Sequence, residues 1–124
     1  MMLRIVVGGQ INKQEIYNFI LKQLGEGNVE LAIKNDLEAV NALKSGKFDY
    51  YVGACNTGGG GALAMAMALL GYDKCKTISM PGKIFPDEEI LKAVNEGKVA
   101  FGFTAQHAEN VLPVLLHAIV EKNK

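Results

Sequence analysis

The stretch FDYYVGACNTGGGGALAMAMALLG, from Phe48 to Gly71, restricts the folds open to this chain more than any other segment. Aromatic and β-branched residues at Phe48, Tyr50, Tyr51 and Val52 read as a strand. The strand is expected to break at Gly53 into a loop holding Cys55, Asn56, Thr57 and the glycines Gly58, Gly59, Gly60 and Gly61. From Ala62 to Leu70 the residues are Ala, Leu and Met, all strong helix formers. A glycine-rich turn between a strand and a helix lets the backbone approach a ligand and aims the free N–H groups of the helix's first turn at it. The pattern predicts an anion site. Glycines can also serve simply to pack a buried helix on a sheet, but Asn56 and Thr57 add polar groups that packing does not need.

The spacing matches neither of two familiar nucleotide-binding loops. A dinucleotide fingerprint needs G-x-G-x-x-G directly after the first strand, and a P-loop needs Lys and Ser/Thr after its last glycine, where this chain has Ala62 and Leu63. No cofactor is expected. Cys55 has two readings. At a helix N-terminus a thiol ionises more readily and becomes reactive, whereas a cysteine in a core is inert. Cys75, which opens the next predicted strand, fits the inert reading.

The remaining segments alternate strand and helix. LRIVVG, from Leu3 to Gly8, is a run suited to a strand buried on both faces of a parallel sheet. Asn12 is placed to cap a first helix with Ile16, Phe19, Ile20 and Leu24 on one stripe, ended by Gly25 and Gly27. A second strand is expected over Val29 to Lys34, and Asn35 with Glu38 forms a capping box for a short helix ending at Gly46. CKTISM, from Cys75 to Met80, reads as a fourth strand, with Pro81, Gly82 and Lys83 as a loop. Pro86 to Glu89 suits the start of a helix, and Val99 to Phe103 a fifth strand. A last helix carries Val111, Leu112, Leu115, Leu116 and Ile119 on one face, with Pro113 marking a kink or its true first turn. Five alternations predict a single α/β domain over residues 1–124. Its architecture would be a three-layer α/β/α sandwich around a five-stranded, mainly parallel sheet, Rossmann-like or flavodoxin-like.

Thirteen basic and 13 acidic residues leave no formal net charge, so nothing draws the chain electrostatically to nucleic acid or an anionic membrane. Two cysteines outside any metal-ligand spacing fit a reducing cytoplasm, and the start MMLRIVVGGQ does not read as a signal peptide. The apolar run from Ala62 to Leu70 falls short of the roughly 20 residues that a membrane span needs. A helix apolar all round must instead be covered by protein on every side. That predicts a homo-oligomer assembled through this helix.

In an open parallel sheet the ligand crevice lies beyond the carboxyl ends of the strands. That edge would gather Gln10, Asn35, the loop from Cys55 to Gly61, Lys83, Thr104, Gln106 and His107. The set is polar, nearly uncharged and poor in metal ligands, so it suits a small anionic or hydroxylated metabolite and no metal. His107 is either a polar residue in a first helical turn or a general acid or base. Lys83 is either a solvated loop lysine or a point charge for phosphate. His117, two turns into the last helix, is structural.

Over nearly its whole length the chain resembles the YhfU-like family of small bacterial proteins, most clearly in GKFDYYVGACNTGGGGALAMA and EGKVAFGF. The family has no established activity. Locally, Cys55 to Ala64 resembles the C-x-T-G-x-G-x-x-x-A element of the family of ribose-5-phosphate isomerase B and galactose-6-phosphate isomerase. That resemblance implies that Cys55 is the base moving a proton between the first two sugar carbons. It implies also that Thr57 assists at the ring oxygen or hydroxyl, and that amides around Gly58 to Gly60 form the anion hole. The chain departs from that family in having Gly9 and Gln10 in place of an Asp-His pair, and Met80, Pro81 and Gly82 in place of a histidine. Its one arginine, Arg4, falls inside the first strand.

The function expected is binding of a sugar phosphate or related anion, with aldose-ketose isomerisation or a similar proton transfer at Cys55. The alternatives are a non-enzymatic component of a sugar uptake system, like the IIB carriers of the phosphotransferase system, and a small-ligand-sensing subunit.

Overall fold

The computed structural model describes residues 2–56 and 60–124. In chain order these form β1 (Leu3–Gly9), α1 (Lys13–Leu24), β2 (Val29–Ile33), α2 (Asp36–Lys44), β3 (Tyr50–Cys55) and α3 (Gly60–Leu70). There follow β4 (Cys75–Thr77), β5 (Ser79–Met80), β6 (Lys83–Ile84), α4 (Asp87–Asn95), β7 (Ala100–Thr104) and α5 (Ala108–Lys122). The main sheet has five strands, all parallel, in the order β2-β1-β3-β7-β4. Compared with the flavodoxin order 2-1-3-4-5, the last two strands have exchanged places.

Both faces of the sheet are covered, as near-continuous apolar strands require. On one face Ile5, Val7, Val52, Phe101 and Phe103 pack against α1, α4 and α5 through Ile16, Ile20, Ile90, Leu112 and Leu115. On the other, Val6, Tyr51 and Ala100 pack against α2 and α3 through Ala39, Val40, Leu43, Leu63 and Ala66. The outer side of α3 is open, with Met65 36% exposed between exposed Ala64 and Ala68.

On that second face three glycines stand in register across the central strands, Gly8 beside Gly53 and Gly53 beside Gly102. They make room for one side chain. A Cβ on Gly8 would lie 2.5 Å from Tyr51 Cε2, and one on Gly53 would lie 2.7 Å from the Tyr51 hydroxyl. Gly53 therefore does not break β3, which runs on to Cys55. The glycine serves packing against the tyrosine.

Further expectations change at Asn12, in CKTISM and at Lys83. Asn12 adopts a left-handed conformation, φ 58°, and its side chain makes no capping hydrogen bond. The cap at Asn35 forms, though not as a full capping box: Asn35 Oδ1 accepts from the Glu38 N–H at 2.9 Å, while the Glu38 carboxylate accepts from the Asn35 side-chain amide at 2.6 Å instead of from its backbone N–H. CKTISM divides at Ile78, whose N–H bonds the Gly102 carbonyl, and Ser79–Met80 then pairs antiparallel with Lys83–Ile84 across Pro81-Gly82. Proline followed by glycine at φ 77° is the chemistry of a tight type II turn, so Lys83 opens a strand instead of lying in a loop. Pro113 is the sixth residue of α5, where the N–H it lacks would have bonded only Glu109 in the first turn.

Candidate functional site

The strand order reverses between β1 and β3, and the carboxyl ends of β1, β3 and β7 meet the N-terminus of α3 beside that point. Cys55 and Thr104 are the last residues of β3 and β7 and are Cα partners. Strand alternation turns both side chains to the face covered by α2 and α3, the face of Tyr51 and Gly53. Cys55 is fully buried and Thr104 is 2% exposed. Neither Cys55 nor Cys75 forms a disulfide. The Thr104 N–H donates to the hydroxyl of buried Ser79 at 3.0 Å. The Thr104 hydroxyl itself has no hydrogen-bond partner among the described residues. A buried hydroxyl is costly unless a hydrogen-bonding group meets it.

Gln10 follows β1, its backbone N–H held by the Ala54 carbonyl at 2.9 Å. Its side-chain amide lies against the first turn of α3: a Cβ on Gly61 would be 3.0 Å from Gln10 Nε2 and 3.1 Å from Oε1. Gly60 and Gly61 are the first residues of α3, and Asn56 is exposed just after β3. Thr57, Gly58 and Gly59 lie outside the described residues.

His107 closes a single 3-10 turn, Ala105–His107, directly beyond Thr104. Its Nδ1 is buried with no hydrogen-bond partner among the described residues. Lys83 is committed elsewhere: its ammonium stands 4.8 Å from the centre of the Phe85 ring, with Lys76 at 5.0 Å from the same ring. Arg4 is held near the opposite, amino end of the sheet. It donates to Asp49 through Nε (3.2 Å), Nη2 (2.8 Å) and its backbone N–H (3.1 Å), a fork that raises its already high pKa. Among the described residues no cluster of His, Cys, Asp and Glu could hold a metal ion, and no helix is long and apolar enough to cross a membrane. A cavity of about 420 Å³ opens between the first turns of α1 and α5. It lies on the other face of the sheet and takes in Gln106 but neither Cys55 nor Thr104.

Two residues that the sequence did not mark stand beneath the crevice. The hydroxyl of fully buried Tyr51 is 2.7 Å from Asp36 Oδ1 and 2.6 Å from the Ala62 carbonyl in the first turn of α3. Asp36 Oδ1 also accepts the Gly9 N–H at 2.6 Å. Burial, and then the hydrogen bond to Asp36 and its charge, push the Tyr51 phenol far above its ordinary value, so it stays a proton donor. The available signals were an aromatic hydroxyl inside an otherwise apolar strand and an Asp next to a capping Asn.

Fold and crevice together define a parallel α/β sandwich protein with its candidate site at the carboxyl edge of the sheet. The same fold occurs in ribose-5-phosphate isomerase B from Giardia lamblia, with TM-score 0.70 and 14% identity over 95% of this chain and 94% of that one. It occurs also in the ribose 5-phosphate isomerase of Thermotoga maritima, with TM-score 0.64 and 14% identity over 97% and 87%. By sequence the chain belongs to the family described as protein of unknown function DUF2620, whose model matches residues 3–119. Relatives in Escherichia coli (strain K12) and Shigella flexneri, both described as uncharacterized protein YhfU, are 45% identical over 116 residues, which is 94% of this chain and 97% of theirs.

Proposed function

We propose that this protein binds a sugar phosphate at the carboxyl edge of β1, β3 and β7 and shifts a proton between adjacent carbons of the open-chain sugar, as an aldose-ketose isomerase does. The observation that carries this reading is the Thr104 hydroxyl, 2% exposed and without a partner among the described residues, in register with Cys55 at the end of the neighbouring strand. A hydroxylated ligand supplies the missing partner. The fold shared with two ribose-5-phosphate isomerases adds support by analogy.

In this reading the Cys55 thiolate removes the proton from the hydroxyl-bearing carbon next to the carbonyl. The electron pair moves onto the carbonyl oxygen, giving an enediolate, and the thiol returns the proton to the former carbonyl carbon. Backbone N–H groups leading into α3, from Gly58, Gly59, Gly60 and Gly61, stabilise the anion, and Thr57 serves the neighbouring hydroxyl. Gln10 and Asn56 flank the ligand. His107, one turn from Thr104 and with a buried ring nitrogen that has no partner among the described residues, is the acid or base for proton exchange between the oxygens. With Arg4 occupied by Asp49, amides and the helix end carry the phosphate, with Lys83 as an accessory charge if it leaves Phe85. The outer face of α3, uncharged from Ala62 to Leu70, joins a second copy of the chain.

A thermal-shift screen against sugar phosphates, free sugars, phosphate and nucleotides tests the reading. A ligand at about 100 times its Kd adds about 2.7 kcal/mol, several degrees for a domain of this size. A pentose or hexose phosphate should raise the melting temperature and nucleotides should not. Cys55→Ser should keep the shift and abolish isomerisation. No shift with any sugar phosphate, or full turnover in Cys55→Ser, would refute it.

A further inference from the structure

We propose that Tyr51 and Asp36 form a positioning pair that sets the aim of the crevice's anion-binding amides. The inference rests on the anion-site reading of α3, and it concerns what holds that site in shape.

The contacts close a circuit. The Gly9 N–H donates to Asp36 Oδ1, which meets the Tyr51 hydroxyl, which in turn meets the Ala62 carbonyl. Ala62 follows Gly61, Gly61 lies under the side chain of Gln10, and Gln10 follows Gly9. The ends of β1, α2, β3 and α3 are thereby tied at one point. Ala62 is in the first turn of α3, where the N–H groups have no helical partners and face outward. Fixing its carbonyl fixes the direction of those donors. A ligand anion gains most from donors that need no rearrangement on binding.

Two features set this apart from an incidental buried tyrosine. The phenol carries one proton and stands within hydrogen-bond distance of two acceptors, so it is shared between the β1 side and the α3 side and couples them. The backbone also reserves its place, because a Cβ on Gly8 would strike both the ring (2.5 Å) and Asp36 Oδ1 (2.9 Å), and one on Gly53 would strike the hydroxyl. Simple filling of the core calls for a phenylalanine here, with no hydroxyl and no aspartate.

The test compares Tyr51→Phe, Asp36→Asn and Asp36→Ala with the wild type. Two readouts are needed: amide hydrogen exchange without ligand, and calorimetric affinity for ribose 5-phosphate well below every melting temperature. In Tyr51→Phe, exchange should quicken at Gly9 and at Ala66, whose N–H pairs with the Ala62 carbonyl in a regular helix, and stay unchanged at Val52 and Phe101. Affinity should fall about tenfold. Asp36→Asn keeps an oxygen that can accept from Gly9 and Tyr51, so it should remain near wild type, while Asp36→Ala should behave like Tyr51→Phe. Wild-type exchange at Ala66 in Tyr51→Phe, or equal acceleration at all four amides, would overturn the proposal, since the second result means global destabilisation only. If the wild type binds no sugar phosphate, the functional reading falls on its own, and the exchange pattern still decides whether the pair holds the first turn.

Discussion

Replacing Gly8 with alanine adds one methyl group at the most crowded point of the sheet. The new Cβ would stand 2.5 Å from Tyr51 Cε2, 2.9 Å from Asp36 Oδ1 and 3.1 Å from Tyr51 Cζ. Carbon atoms in contact prefer about 3.5–4.0 Å, so the ring must withdraw by roughly 1 Å. It cannot do so freely, because its hydroxyl is held between Asp36 and Ala62 and the ring is fully buried. Overpacking of this kind costs about 1–3 kcal/mol, and one loosened buried hydrogen bond about 1 kcal/mol more. Gly8 has an ordinary φ, so alanine gains back about 0.4–1 kcal/mol by restricting the unfolded chain. The net loss is about 2–3 kcal/mol, or roughly 8–15 °C in melting temperature for a domain of this size. Urea denaturation and scanning calorimetry measure it directly. Pairing Gly8→Ala with Tyr51→Leu, which removes the ring atoms that clash, should recover at least about 1 kcal/mol relative to additivity. A Gly8→Ala protein melting within about 2 °C of the wild type would refute this account of the glycine row.

Gly61→Ala should behave oppositely: the nearest described atoms to its Cβ are the side-chain end of exposed Gln10, so stability should hold or rise by up to about 1 kcal/mol while sugar-phosphate affinity drops. Thermal denaturation paired with calorimetric titration separates the two effects. Stability should decline in alkali. The fold holds Tyr51 and Cys75 protonated, Cys75 mainly through burial; their contribution is whole below the unfolded values, about 8.5 for Cys and 10 for Tyr, and is lost as pH rises through the folded ones. Melting curves from about pH 7 to 11 should show this fall, and Tyr51→Phe should shrink it above about pH 10. Met65→Lys places a charge on the open face of α3 and should shift light-scattering mass from oligomer to monomer with the fold intact by circular dichroism.

The layered plan was legible because the central strands β1, β3 and β7 are largely apolar runs, alternating along the chain with helical stripes. The helix cap at Asn35 was legible from local sequence alone. What escaped was set by partners distant in sequence. Gly53 looks like a strand breaker until Gly8 and Gly102 are known to lie beside it and Tyr51 across it. Asn12 looks like a helix cap, but its left-handed backbone turns the side chain away from that task. The residues gathered at the crevice followed from the general rule for parallel sheets, and the structure brings Cys55, Thr104, Gln10 and Gly61 to that edge while tying Lys83 to Phe85. Asp36 and Tyr51 stayed hidden because an Asp in a first helical turn and a Tyr in a strand are each ordinary by themselves. Only the sheet register makes them a pair.

The position of β7 bears on how the protein is made. It is the last main-sheet strand in chain order, yet it lies between β3 and β4, and β4 pairs with no other described strand of the main sheet. Until residue 104 has emerged, the nascent chain carries an unpaired, apolar edge along β3 and a fragment at β4 with nothing to dock on. Such an edge invites pairing with another chain. The sheet can be completed only by insertion at its middle, a late and non-local event, so synthesis includes an interval in which the other four main-sheet strands exist and the strand that joins them does not.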